Sequence, residues 1–227
     1  MTETREVSVL IAQHFKISTY QRLKTEAERK EMSYIPYANI VGSIMYTMIC
    51  TRPNVAHAIS VASRYMSDHG KTHWQALKWI LSYMKSTEGY GIVLKINDSH
   101  QGDALIGFCD SDYAANVDTR KSQSGYVFNS YGSAISWKSS LQLEVHLSTT
   151  EAEYIAFIES VKKSIWLKGI IKVLGIEQSS VGVVKVKKVA TEHNAADMLT
   201  KSLPATKFRY CLELLDILDL NPSFSTV

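Results

Sequence analysis

The amino-acid sequence predicts an α/β fold of the α+β kind, a mixed sheet with helices, in which a helical unit precedes a sheet-forming one. Three patterns predict it. Apolar residues recur at helical spacing at Val55, Ala58, Ile59, Ala62, Tyr65 and Met66, and again at Trp74, Leu77, Ile80, Leu81 and Met84. Near Tyr90 the pattern changes to short strand-like runs separated by turn residues. A long stretch from about 149 to 174 then returns to helical spacing, with Ala152, Ile155, Ala156, Val161, Ile165, Ile170, Ile171 and Leu174 as its apolar positions.

Each element has a local reason. Residues 1–34 form a polar arm whose charged cluster, Lys24–Glu31, suits either a solvated helix or a loose segment. A first helix covers 37–50. A second opens at Thr51-Arg52-Pro53, where proline suits the first helical turn. Ser67-Asp68-His69-Gly70 separates it from a third helix that begins near Thr72. Tyr90–Ile96 alternates weakly, Asn97–Asp103 is a turn cluster, and Ala104–Cys109 is a buried strand. Gly125–Phe128 and Ala134–Trp137 flank Asn129-Ser130-Tyr131-Gly132 as a hairpin. Ser148 and Glu151 fit a capping box at the start of the long helix, and Gly175 ends it. Val181–Ala190 reads as one strand-like block, 195–201 and 204–216 as short helices, and Asn221–Val227 as a frayed tail. The domain plan is an arm (1–34), a helical unit (35–98), a sheet-forming unit (99–217) and a tail (218–227).

Composition narrows the class of protein. Hydrophobic residues make up 45% of the 227, enough for a core and too many for wholesale disorder. The net charge of +3, without a long basic run, permits a polyanionic partner and does not argue for one. Cys50, Cys109 and Cys211 lie far apart in apolar contexts, which predicts buried reduced thiols rather than a zinc site or disulfides. No apolar run reaches the ~18 residues of a membrane span. The N-terminus lacks the apolar core of a signal peptide. The chain therefore reads as intracellular, cytoplasmic or nuclear.

The chemistry-bearing residues are carboxylates. The run Ala104–Cys109 ends in Asp110, Ser111 and Asp112, and on an extended strand Asp110 and Asp112 face the same side. Glu153 follows in the first turn of the long helix, and Asp197 in Asn194-Ala195-Ala196-Asp197. Acids on separate elements suit a divalent ion, because Mg²⁺ takes oxygen ligands. Each has a plainer reading as well. Asp110 and Asp112 suit a solvated strand end or an Asx turn. Glu153 and Asp197 suit helix N-termini, where an acid contributes about 0.3–1 kcal/mol.

With their flanks these segments resemble copia-type LTR retrotransposon Pol polyproteins. The similarity runs from about Lys16 to Ile217. It rests on Tyr34–Tyr46, Cys50–Asn54, His73–Trp79, Asp110–Ala114, Arg120–Tyr126, Ile135–Ser139, Leu147–Ala156, Trp166–Lys168 and Ala195–Lys201. The resemblance implies that 35–98 is a reverse-transcriptase thumb or connection remnant, mainly helical, and that 99–217 is a ribonuclease H-like domain. The family fold is a five-stranded mixed sheet with packed helices. The family activity is cleavage of RNA in an RNA–DNA hybrid, with four carboxylates holding two Mg²⁺, Mn²⁺ being an alternative. By motif, Asp110, Glu153 and Asp197 are three of the four, as catalytic residues and metal ligands. The implied partner is RNA–DNA hybrid or other nucleic acid, with Lys121, Trp137 and Lys138 as weaker candidates to contact it. Ordinary strand packing is the competing reading of Trp137.

The chain departs from the family pattern at one junction. Val184 passes straight into Lys185-Val186-Lys187-Lys188, and the segment that would carry the third carboxylate is missing. The polymerase Tyr-x-Asp-Asp signature is absent as well. If Val181–Ala190 takes the fourth strand's place, Lys187 lies where the missing acid belongs. If it takes the fifth strand's place, that position is empty. Three readings stay open: an incomplete, inactive fragment of a transposable element with ribonuclease H ancestry; an active Mg²⁺-dependent ribonuclease H that recruits another acid such as Glu192; and a non-catalytic nucleic-acid-binding module.

Overall fold

The structure is a computed structural model that describes residue 10 and residues 16–94, 105–175 and 184–220. Four helices lead: α1 (Glu26–Met32), α2 (Tyr37–Cys50), α3 (Ala56–Ser63) and α4 (Lys71–Ser86). The Lys24–Glu31 cluster forms a solvated helix. Thr25 Oγ1 accepts from the Glu28 amide at 3.2 Å, and Glu28 Oε2 accepts from the Thr25 amide at 3.1 Å, a reciprocal cap. Pro53 opens a 3-10 turn, Pro53–Val55, that runs directly into α3. The stripes expected from periodicity are buried: Ala58, Ile59 and Ala62 in α3, Leu77 and Ile80 in α4.

Strands β2 (Ile106–Asp112), β3 (Gln123–Ser130) and β4 (Ser133–Leu141) form an antiparallel sheet in the order β2-β3-β4. The earlier strand β1 (Tyr90–Ile92) pairs antiparallel with β5 (Ile217–Asp219) near the end of the chain. Tyr131 and Gly132 both take positive φ, 51° and 93°, as a two-residue hairpin turn requires. Helix α5 (Thr149–Val173) packs on β2 and β3, and α6 (Ala205–Leu214) precedes β5. The helix expected over 204–216 is shorter, and the strand β5 follows it. The helix instead stops at Leu214, and Asp216 turns the chain with φ 50°.

Several expectations need correction. The sheet is antiparallel and not mixed among the described residues. The block expected at 181–190 forms no strand where it is described. Residues 184–190 are irregular and exposed, and 181–183 lie outside the described residues. A strand covered on both faces calls for a nearly continuous apolar run. Lys185, Lys187 and Lys188 interrupt that run. The capping box at α5 is only half formed. Ser148 Oγ accepts from the Glu151 amide at 3.2 Å, but the Glu151 carboxylate turns to the Leu147 amide at 2.8 Å. Glu153 lies one turn into the helix and not at its start. Cys50 is exposed; only Cys211 of the three free thiols is fully buried. The turn cluster at Asn97–Asp103 and the tail lie outside the described residues, apart from Leu218–Leu220.

One buried cluster joins the front helices to the sheet. Tyr37, Val41 and Ile59 belong to it together with Val127, Ala134, Leu199 and Phe208, and Trp74 and Trp79 pack against it. Part of the N-terminal arm is fastened as well. Asp118 accepts from the Thr19 amide at 3.0 Å, from Thr19 Oγ1 at 2.8 Å and from the Tyr65 hydroxyl at 2.9 Å. Among the described residues no helix is long and apolar enough to cross a membrane.

Candidate functional site: a carboxylate cluster around a lysine

The site forms where the 3-10 turn Ala195–Leu199 lies across the sheet. Asn194 starts that turn twice over. Its Oδ1 accepts from the Ala196 amide at 3.1 Å, and its Nδ2 donates to the Cys109 carbonyl at 2.9 Å, which ties the turn to β2. At the other end Thr200 Oγ1 donates to Asp110 Oδ2. Gly125 on β3 makes the close approach possible. A Cβ there would meet Leu199 Cβ at 2.7 Å and Thr200 Cγ2 at 2.9 Å. Asp110 sits opposite Gly125 in the β2–β3 ladder, so the strand acid and the turn are brought together by one register.

Asp110 and Asp197 are both buried and both face one ammonium. Lys201 Nζ lies 3.3 Å from Asp110 Oδ2 and 3.4 Å from Asp197 Oδ1. Lys207 Nζ lies 3.4 Å from Asp197 Oδ2. The 3.4 Å contact of Asp197 Oδ1 with Lys201 is long for a hydrogen bond and chiefly ionic. Glu153, exposed overall on α5, lies close enough to feel Asp110, Lys201 and Asp197. Burial raises its pKa, the negative charge of Asp110 adds to this, and Lys201 opposes it. Asp197 is raised by burial and then by Asp110, against Lys201 and Lys207. Asp112 is raised by burial, with Lys201 opposing and Asp110 adding. Burial works against the Lys201 charge, but Asp110 and Asp197 together outweigh it and raise its pKa. The arrangement is a set of crowded acids neutralised by the chain's own amines.

Asp110 and Asp197 therefore meet at Lys201, and Glu153 acts on them electrostatically from α5. Hard carboxylate oxygens aimed at a single cation are the donor set Mg²⁺ prefers. Asp110 Oδ2 and Asp197 Oδ1 both face the Lys201 ammonium. Among the described residues no three His, Cys, Asp or Glu side chains stand close enough together to form a ready metal cage.

The remaining candidates lie elsewhere. Lys187 is exposed in the irregular segment, so the lysine at the centre is not the one that the sequence singled out. Glu192 is exposed on the short turn Thr191–His193, and no hydrogen bond or ion pair among the described residues joins it to Asp110 or Asp197. Trp137 packs against the core and donates from Nε1 to the Met48 carbonyl at 3.1 Å. Lys138 pairs with Glu159 at 3.1 Å. Lys121 is half-buried just before β3. Sequence reasoning missed Lys201, Lys207 and Thr200 as site residues. The spacing of Asp197 and Lys201, four apart, was the available signal.

Comparison with known proteins gives the following. A retrovirus-related Pol polyprotein from transposon TNT 1-94 of Nicotiana tabacum is 39% identical over 253 residues, covering 95% of this chain and 19% of the relative. The corresponding polyprotein from transposon RE1 of Arabidopsis thaliana is 27% identical over 262 residues, covering 98% of this chain and 17% of the relative. A protein described as secreted RxLR effector protein 161, from Plasmopara viticola, is 44% identical over 137 residues, covering 60% of this chain and 94% of that protein. The chain thus spans less than a fifth of the Pol polyproteins it matches. Both Pol alignments are longer than the 227-residue chain, so these relatives carry residues with no counterpart here. No family model and no solved structure matches.

Proposed function

Because the chain belongs to the copia-type retrotransposon Pol polyproteins, we propose that residues 105–201 are a ribonuclease H-type unit whose catalytic centre is closed by its own lysine. On this reading the unit keeps the ancestry of a hybrid-cleaving nuclease and not the activity. One observation carries the reading: the Lys201 ammonium stands between Asp110 and Asp197, within 3.4 Å of both.

Other features support it. The three acids come from a strand, a helix and a C-terminal turn, in the order of the family motifs. The segment 184–190, which follows α5, is exposed and carries three lysines and no acid. Asp110, Glu153 and Asp197 would hold a divalent ion, which in such a centre activates water and stabilises the leaving oxygen. Here Lys201 neutralises the cluster instead, Lys207 holds the second oxygen of Asp197, and Thr200 occupies Asp110 Oδ2. Two-ion chemistry needs further ligands in fixed positions, and Glu192, the recruited acid considered above, stays outside.

The test is cleavage of end-labelled RNA in an RNA–DNA hybrid with Mg²⁺ or Mn²⁺. The expected result is no cleavage above that of Asp110→Asn. Turnover that Asp110→Asn abolishes would contradict the proposal.

A further inference from the structure

At the β4 edge of the sheet, away from β2 and the carboxylates, a groove of about 300 Å³ runs between α2, α3 and β4. Met45, Ile59 and Leu141 form its apolar walls, and Ser60, Ser140 and Arg64 bring polar groups to it. No aspartate or glutamate lines it. The size and lining suit a small ligand: mostly apolar walls with a few placed polar groups.

Arg64 is the unusual member. Among the described residues its guanidinium has one hydrogen-bond partner, the Gln123 Oε1 that accepts from Nη2 at 2.8 Å, and no carboxylate lies within ion-pair distance. Its Nε is enclosed without a partner. Burial works against its charge, and only Tyr65 and Asp118 offset this. A part-buried cation without a counter-ion is costly unless something anionic joins it. The end of α3 does not supply that partner. The carbonyls of Ser60, Val61, Ala62 and Ser63 are taken by Ser63 Oγ and by the amides of Arg64, Tyr65 and Met66.

The guanidinium is also held in place. Gln123 is fully buried, and its Nε2 donates to Ser60 Oγ at 3.1 Å and to Ser139 Oγ at 2.9 Å. Gln123 therefore fixes Arg64 from behind. Ser60 Oγ, which accepts from Gln123, keeps its own proton to donate.

We propose that this groove binds a nucleoside phosphate, with Arg64 and Ser60 on the phosphate and Met45, Ile59 and Leu141 against the base. Arg suits phosphate because its planar donors match the oxygens. Thioether sulfur packs favourably on aromatic rings. The site is independent of the carboxylate cluster and of whether that cluster cleaves anything.

The test is a titration of the full chain with adenosine monophosphate, adenosine and a short oligo(dA), followed by calorimetry or amide NMR. Adenosine monophosphate binds, and adenosine binds at least about tenfold more weakly, since it lacks the charge-assisted contact. Arg64→Gln weakens the nucleotide about tenfold. Met45→Glu, on the exposed rim, leaves Arg64 and the fold intact, places an anion beside the phosphate, and weakens binding by a similar factor. Oligo(dA) that competes with the nucleotide identifies a strand residue as the ligand; oligo(dA) that does not bind identifies the free nucleotide. Three results would overturn the proposal: equal affinity for adenosine and adenosine monophosphate, unchanged affinity in the folded Met45→Glu variant, or no nucleotide binding at about 10 mM.

Discussion

Gly125 shows how much one residue decides at this site. The turn that carries Asp197, Thr200 and Lys201 lies flat on β3 only because no Cβ stands in its way. Gly125→Ala forces Leu199 and Thr200 outward, and such overpacking costs about 1–3 kcal/mol. Urea unfolding measures this, and a variant as stable as the parent would show that the approach is not tight. His57 makes a second residue-scale prediction. Burial, with a smaller effect from Arg64, lowers its pKa from 6.5 to about 3, and its Nδ1 is enclosed without a partner. A depressed folded-state pKa means that the unfolded chain binds the extra proton. Stability is then complete above pH 6.5 and is lost progressively as pH falls from 6.5 towards 3. The slope approaches about 1.4 kcal/mol per pH unit for one proton. Replacing His57 by Gln removes that contribution between pH 5 and 6.5. An unchanged slope in denaturation midpoints across that range would count against a buried neutral ring.

At the scale of elements, α5 depends on its first turns. Ser148 caps it, and Glu153 stands just beyond. Ser148→Ala costs about 1 kcal/mol, and it frays the turns that lead to Glu153. Amide exchange at residues 149–153 faster than in the parent is the expected sign, and exchange unchanged there would argue that the cap is dispensable. The elements also mark how far the sequence could be read. The helices at 37–50 and 149–174, the α3 and α4 stripes and the hairpin at Tyr131-Gly132 were legible, because period, caps and turn glycines are local signals. The missing strand was not, since Val184–Ala190 alternates like a strand and yet is irregular and exposed in the fold. β5 escaped notice because three residues, Ile217–Asp219, form a strand only by meeting β1 more than a hundred residues away. Asp110, Glu153 and Asp197 each stood out in the sequence as an acid near the end of an element. That Lys201 would settle among them, and not Lys187, depended on the turn being pressed onto β3 by Gly125.

Across the whole molecule, one buried cluster links the front helices, the sheet and the C-terminal segment. Trp137 illustrates the linkage: it lies on β4, and its indole N–H is spent on the Met48 carbonyl of α2. The chain should therefore unfold in a single cooperative transition, with circular dichroism and tryptophan fluorescence changing together. Separate transitions would show that the boundary expected near residue 98 divides two independent units. On the proposed reading, Lys201 stands in the place of a divalent ion. Titration with Mn²⁺ followed by electron paramagnetic resonance, on the parent and on folded Lys201→Met, measures it directly. The parent should bind weakly, and removal of the ammonium should tighten binding about tenfold, or about 1.4 kcal/mol, in a manner lost on Asp110→Asn. Tight, Asp110-dependent binding by the parent that Lys201→Met leaves unchanged would contradict it.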